Sequence, residues 1–317
     1  MRVLVAGATG VVGRQLVPLL AAAGHDVVAL SRRPAAAVDG GRVVSVAVDA
    51  LDVDRLRAAV AGAAPEAVVD LLTAIPASIH PRRFAADMVT TNRLRTEAAS
   101  TLLGAGAAAG ATRFVSESLA FAYDPHGGSG AAGPADEDEP LWLDPPAQFR
   151  AVLAAVRAKE RMTVDAGGLV LRFGHLCGPG SAYAGDGSFV AQVRAGAVPL
   201  VGGGRSTFSF THAYDAATAV VASLGTDVTG TLNVVDDRPA PMSAWLPVLA
   251  EQLGARRPRS VPAVLARLAV GGWGVAFMTQ LRGADNARAR SVLGWQPRFP
   301  SWRESIVEPA AAAPAAG

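Results

Sequence analysis

Gly7, Gly10 and Gly13 recur at a three-residue spacing near the start of the chain. That spacing suits backbone that must approach a diphosphate. The first glycine permits a sharp turn, the second lets the main chain come close to phosphate, and the third lets a helix pack tightly on a sheet. The helix N-terminus then offers free N–H groups and partial positive charge. Gly7, Thr9, Gly10, Val11, Val12 and Gly13 are therefore the expected diphosphate contacts of a dinucleotide. Ser31, Arg32 and Arg33 stand where an acidic residue would hold the ribose 2′-hydroxyl of NAD. Guanidinium forks suit a 2′-phosphate instead, which makes NADP(H) the expected cofactor.

Groups able to move a proton are few. Tyrosine occurs only as Tyr123, Tyr183 and Tyr214, lysine only as Lys159, and cysteine only as Cys177. Ser116 and Ser118 are candidates to donate or relay a proton to a developing alkoxide. Tyr123 is the nearest phenol, and Lys159 is a candidate for the ribose. His80, His126 and His175 titrate in the useful range. One cysteine permits no intrachain disulfide, and no cluster of His, Asp, Glu and Cys has metal spacing. Trp273, Phe277 and Met278 suit either core or a hydrophobic substrate pocket.

Alternating strands and helices must position these groups. Val3–Ala6 reads as a strand buried on both faces, followed by a helix to Gly24 and a second strand from Asp26. Val43–Val48 forms a third strand, ending at Asp49 and Ala50, with a helix over Val53–Ala61. Ala67–Leu72 forms a fourth, running into Thr73 and Ala74. Arg82–Ala109 reads as one long helix closed by Gly110. A strand over Thr112–Ser118, a helix over Phe149–Ala166 and a strand over Leu169–Phe173 follow. The pattern predicts a Rossmann-type α/β fold: a doubly wound parallel sheet with helices on both faces. Ligands then bind beyond the carboxyl ends of the strands. Gly7, Ser31, Asp49, Ala50, Leu72, Thr73, Ala74, Ser116, Phe173 and His175 are thus expected along one crevice. Residues 1–173 form the expected NADP-binding domain, with some later segments returning to it.

Residues 174–308 have shorter elements and read as a smaller C-terminal substrate lobe. A strand near Thr231–Val235 and helices near Ser243–Leu253 and Ala284–Leu293 are predicted there. The irregular stretch Asp124–Pro146 reads as a lid, and the Ala/Pro tail 309–317 as disordered. The 317 residues carry a net charge of +2 with a sequence pI near 9.1, too mild and too scattered for nucleic acid. Val261–Met278 is apolar but holds Arg267 and several glycines, a poor membrane span. The chain enters a strand at once, which leaves no room for a signal peptide. The expectation is a cytoplasmic protein with a small-molecule substrate, no nucleic-acid or membrane partner, and a homodimer allowed.

Taken together, the residues resemble the extended short-chain dehydrogenase/reductase superfamily, in its NAD(P)-dependent epimerase/dehydratase branch. The likeness includes Gly7-x-x-Gly10-x-x-Gly13, Asn92, Arg113–Ser118 with Tyr123, Leu171–Gly180, Phe210–Asp215, Gly230–Asp237 and Asn286–Pro297. It implies a nicotinamide cofactor with Asn92 beside it. It also implies a proton-donating tyrosine four residues before a lysine that holds the ribose and lowers the phenol's pKa. Here Gly127, Gly187 and Thr218 stand four residues after the tyrosines, and Ala155 stands four before Lys159. The family's serine or threonine falls near Leu119, counted back from Tyr123, with Ser118 or Ser116 as shifted substitutes. The chain thus resembles an atypical member, similar in kind to tyrosine-less ketoreductases of polyketide tailoring in antibiotic biosynthesis. The implied activity is NADPH-dependent reduction of a ketone on a bulky, aromatic or polyketide-type substrate. Two alternatives stay open. A nucleotide-sugar epimerase or dehydratase commonly places an arginine where Phe208 stands, with Arg205 close by. A non-catalytic NADP(H)-sensing protein would keep the Gly7 turn and Arg32 while losing the acid–base pair.

Overall fold

The apolar runs of the first half line up as parallel strands. The computed structural model describes residues 1–33, 41–79, 81–127 and 133–306. The elements are β1 (Arg2–Ala6), α1 (Gly13–Ala22), β2 (Asp26–Ser31), β3 (Val43–Ala47), α2 (Val53–Ala63), β4 (Ala67–Asp70), β5 (Arg113–Leu119) and β6 (Leu169–Phe173). A seventh strand, Gly230–Val234, completes a sheet ordered β3-β2-β1-β4-β5-β6-seventh. All six neighbouring pairs are parallel. The order reverses between β1 and β4, which is where a Rossmann-type sheet opens a ligand crevice. His80, Gly128 and the tail 309–317 lie outside the described residues.

Alternation along each strand feeds two cores. Val3 and Val5 of β1 meet Leu16 and Leu20 of α1, together with Val220 and Leu224 of the helix Ala213–Leu224. Leu4 and Ala6 face the other way, onto Leu56 and Val60 of α2 and Leu102 of the helix Ala99–Ala108. The stretch predicted as one helix over Arg82–Ala109 is broken. A 3₁₀ turn (Pro81–Arg83) and two short helices (Phe84–Asp87, Val89–Arg93) precede a π-helical segment, Leu94–Ala98, before the regular helix begins. Within that segment Leu94, Arg95 and Ala98 are buried.

Beyond β6 the chain builds short paired strands. His175–Cys177 pairs with Phe210–His212, Leu200–Val201 with Ser260–Val261, and Thr207–Phe208 with Ala240–Pro241. Helices Met242–Gln252 and Ala263–Thr279 cover them. The strand expected near Thr231–Val235 sits beside β6 in the main sheet, so the chain returns there after building part of the lobe. The segment read as a lid is instead strapped down over its described residues. Ala135 is fully buried, donates its N–H to the Gly283 carbonyl and accepts from Asp285 N–H. Glu137 accepts from Asn233 N–H at 2.7 Å and lies 3.3 Å from Arg288. No helix among the described residues is long and apolar enough to cross a membrane.

Candidate active site

The glycine turn sits where β1, β4 and α1 converge. Gly7 has φ +90°, and a Cβ there would lie 2.7 Å from the Leu71 carbonyl oxygen. A Cβ on Gly13 would lie 2.3 Å from the Gly7 carbonyl. Gly10 N–H closes the turn on Gly7 O at 2.9 Å. No side chain caps α1, and the N–H groups of Val11 and Val12 find no backbone acceptor among the described residues. Thr9 and Gly10 are exposed beside them. Unpaired donors at a helix N-terminus fit a diphosphate.

The neighbouring strand ends complete one rim. Ser31 is buried and its hydroxyl donates to the Arg33 carbonyl, while the Arg32 and Arg33 side chains are exposed. Asp49 is exposed and accepts from Leu51 N–H; Ala50 is buried. Leu72 N–H donates to Asp70 Oδ1 at 2.9 Å, and Ala74 N–H to Thr91 Oγ1 at 3.1 Å. Leu72–Ala74 is therefore held at both ends with Thr73 exposed between them. Next to Thr91, the Asn92 side-chain oxygen is buried without a hydrogen-bond partner, an acceptor suited to a ligand donor. Phe173 lies in the core with Leu171 and Val234.

The proton-transfer candidates fall into buried networks. Lys159 is 1 % exposed, with its amine 3.1 Å from both Asp70 Oδ2 and Glu117 Oε1. Arg95 Nε lies 3.5 Å from the same Glu117 oxygen. Burial alone would raise the Glu117 carboxyl, but the Lys159 and Arg95 charges outweigh it and hold it below the ordinary value. Ser116 and Thr163 hydroxyls are 2.9 Å apart. In a second network Ser118 donates to Glu160 at 2.5 Å, and Arg172 forks onto the same carboxylate at 2.8 and 2.7 Å. Arg172 also donates to the Tyr123 hydroxyl, which donates to Asn233 Oδ1 at 2.7 Å. Burial pushes the Tyr123 phenol up to about 12. Each of these side chains already has its partners. The sequence reading missed Asp70, Thr91, Arg95, Glu160, Arg172 and Asn233; acidic residues on apolar strands, next to the only lysine, were the available signal.

Beyond the ends of β5 and β6 the surroundings turn aromatic. His175 is 6 % exposed and stacks on Phe121 and Phe208, with ring centroids 4.8 and 4.2 Å away. Phe277 meets it edge-on at 5.4 Å. His175 Nδ1 donates to the Ser209 carbonyl at 3.2 Å, and burial pushes the imidazole down to about 4, so it is neutral. On the helix Ala147–Asp165, Phe149, Val152, Leu153 and Val156 join the same apolar cluster, as does Leu119 of β5. Trp273 stacks on Phe149 at 4.0 Å, and Met278 packs nearby. Phe208, at the position commonly held by arginine in sugar-nucleotide relatives, is buried, while Arg205 is exposed. His126 is exposed, and His212 caps the helix Ala213–Leu224 by accepting from Tyr214 N–H. Among the described residues no three His, Cys, Asp or Glu side chains could hold a metal.

Known proteins match this architecture over nearly its whole length. A 3-diazoavenalumate denitrifying reductase from a Streptomyces species is 46% identical over 311 residues, covering 96% of this chain and 99% of that protein. The solved structure of a Thermotoga maritima UDP-glucose 4-epimerase with UDP-glucose superposes with a TM-score of 0.74 at 20% identity, covering 97% and 96% of the two chains. A human epimerase family protein with NADPH gives 0.70 at 24% identity, covering 97% and 98%. At those identities the two structures show the shared fold. The model of the NAD dependent epimerase/dehydratase family matches residues 3–234, and the chain belongs to that family.

Proposed function

We propose that this chain is an NADP(H)-dependent reductase that delivers hydride to an aromatic substrate, and that the accepting group is an aryl diazo function lost as dinitrogen. The backbone from Gly7 to Gly13 would hold the diphosphate, Arg32 and Arg33 the 2′-phosphate, and the Thr73 segment with Asn92 the remainder. Bound there, the nicotinamide supplies the hydride. The aromatic walls around His175 suit a flat apolar ring and exclude water from it.

One observation carries the choice of acceptor: Ser118, Tyr123 and Lys159 are all engaged inside buried networks. A ketone becomes an alkoxide on accepting hydride and then needs a proton. An arenediazonium does not. Hydride on its terminal nitrogen gives a neutral aryl diazene; the C–N bond breaks, N₂ departs, and the N–H hydrogen ends on the ring carbon. The 46% identical relative, a denitrifying reductase of a diazo compound, supports this reading. The buried Phe208 gives a sugar diphosphate no cation at that position.

A ketone beside a phenol on the same ring is the second reading. Tyr183 favours it. This phenol packs edge-on to His175 at 6.2 Å, and its hydroxyl has no hydrogen-bond partner among the described residues, although burial makes it a weaker acid.

Purified protein with NADPH should be offered hydroxyarenediazonium salts and hydroxyaryl ketones. N₂ release, with deuterium from C4-labelled NADPH appearing on the ring carbon, is the expected result. Alcohol formation without N₂ release selects the ketone reading, and NADPH binding without turnover of either defeats both.

A further inference from the structure

His175 presents a hydrogen-bonding edge that the fold leaves unused. Its backbone N–H and its Nδ1–H both donate to the Ser209 carbonyl, at 2.9 and 3.2 Å. This double anchor fixes the ring and its tautomer, so Nε2 carries the lone pair. Nε2 is buried with no partner. A buried, unpaired acceptor costs on the order of 1–3 kcal/mol, and such groups in folded proteins usually have a reason.

The surroundings narrow what could pair with it. Phe121 and Phe208 stack on the imidazole, and Phe277 and Tyr183 stand edge-on. Phe121 and Phe277 are only partly buried, which makes theirs the less covered side of the box. His175 follows β6 by two residues, and Phe121 follows β5 by two. That side therefore lies beyond the carboxyl ends of adjacent strands, where ligands enter this kind of sheet. A neutral nitrogen acceptor walled by aromatic faces suits a flat ring bearing a hydrogen-bond donor such as a hydroxyl.

We infer that His175 Nε2 is a specificity-determining acceptor for a ring hydroxyl on the aromatic substrate. The inference rests on the aromatic-substrate reading above and adds to it the substituent the ring must carry. An ether at that position would leave Nε2 unpaired and would bring a methyl group against it. Selection by an unpaired buried polar group discriminates more strongly than loss of apolar contact does.

The test uses protein loaded with NADP⁺, titrated with β-naphthol and with its methyl ether. The naphthol should bind roughly tenfold more tightly, about 1.4 kcal/mol. His175→Phe should keep ether binding and lose the preference. In wild-type protein the naphthol, and not the ether, should shift the nitrogen-15 resonance of Nε2 while leaving Nδ1 in place. That measurement needs no variant to fold. Equal affinities, a preference that survives in His175→Phe, an unmoved Nε2 resonance, or no binding of either compound overturns the inference. Every readout is made without turnover. Diazo reduction can thus fail in its own assay while the hydroxyl pairing stands, and the reverse.

Discussion

Lys159 and Leu72 are joined through one carboxylate: Asp70 Oδ2 lies 3.1 Å from the Lys159 amine, and Asp70 Oδ1 accepts from Leu72 N–H at 2.9 Å. The only lysine of the chain therefore reaches the crevice rim through a relay inside the core. Lys159→Met leaves Asp70 and Glu117 buried beside each other, with only Arg95 to compensate. Stability should fall by about 3–5 kcal/mol in urea melts. At temperatures where the variant stays folded, NADPH should bind more weakly, because the Asp70 carboxylate that anchors Leu72 loses its charge partner. Unchanged stability would show that the ion cluster is not what holds the rim.

Tyr123→Phe separates a structural phenol from a catalytic one. The variant removes a donor to Asn233 and an acceptor from Arg172, both buried. We expect a loss of about 1–3 kcal/mol in stability, with kcat kept within a few-fold. A kcat loss of about 10²-fold or more would instead identify Tyr123 as the proton donor.

Arg32→Ala tests the cofactor. NADPH affinity should fall roughly tenfold or more, about 1.4 kcal/mol, with NADH affinity nearly unchanged. Equal losses for both nucleotides would mean that the side chain does not read the 2′-phosphate. Fluorescence titration with each nucleotide measures the ratio.

The buried imidazole makes stability depend on pH. His175 is pushed down to about 4 from its ordinary 6.5. Between those values the unfolded chain binds the proton and the folded one does not. The stability contribution is thus complete above about pH 6.5 and is lost as pH falls toward 4, by on the order of 3 kcal/mol. Asp236, pushed up to about 8 by burial, slopes the other way, losing stability as pH rises from about 4 to 8. The clean measurement is the difference between wild type and His175→Phe. Wild type should lose ground to the variant as the solution is acidified, and a flat difference would contradict the buried neutral ring.

The main sheet was legible because its determinants are local. Apolar runs such as Val3–Ala6 and Leu169–Phe173 are strands at close to their expected limits, and Gly7 and Gly13 occupy positions where any Cβ would strike backbone. The sides of the site were less legible because their determinants are distant in sequence. Asp70, Glu117 and Lys159 meet only after three separate elements pack. Arg95, buried on the π segment Leu94–Ala98, likewise meets Glu117 only once that segment packs against β5. The pairing of Gly230–Val234 with β6 depends on the lobe between them, and neither strand's own pattern announces its neighbour.

The placement of Gly230–Val234 at the sheet's edge has a practical consequence for dissecting the molecule. A fragment cut after Phe173 would expose the whole flank of β6, five residues whose partners come from the far side of the lobe. Bare flanks of that kind recruit other chains. The half that ends at Phe173 should therefore come out of expression as aggregate. A soluble version would require the intervening residues to be replaced by a short linker that still delivers the missing strand.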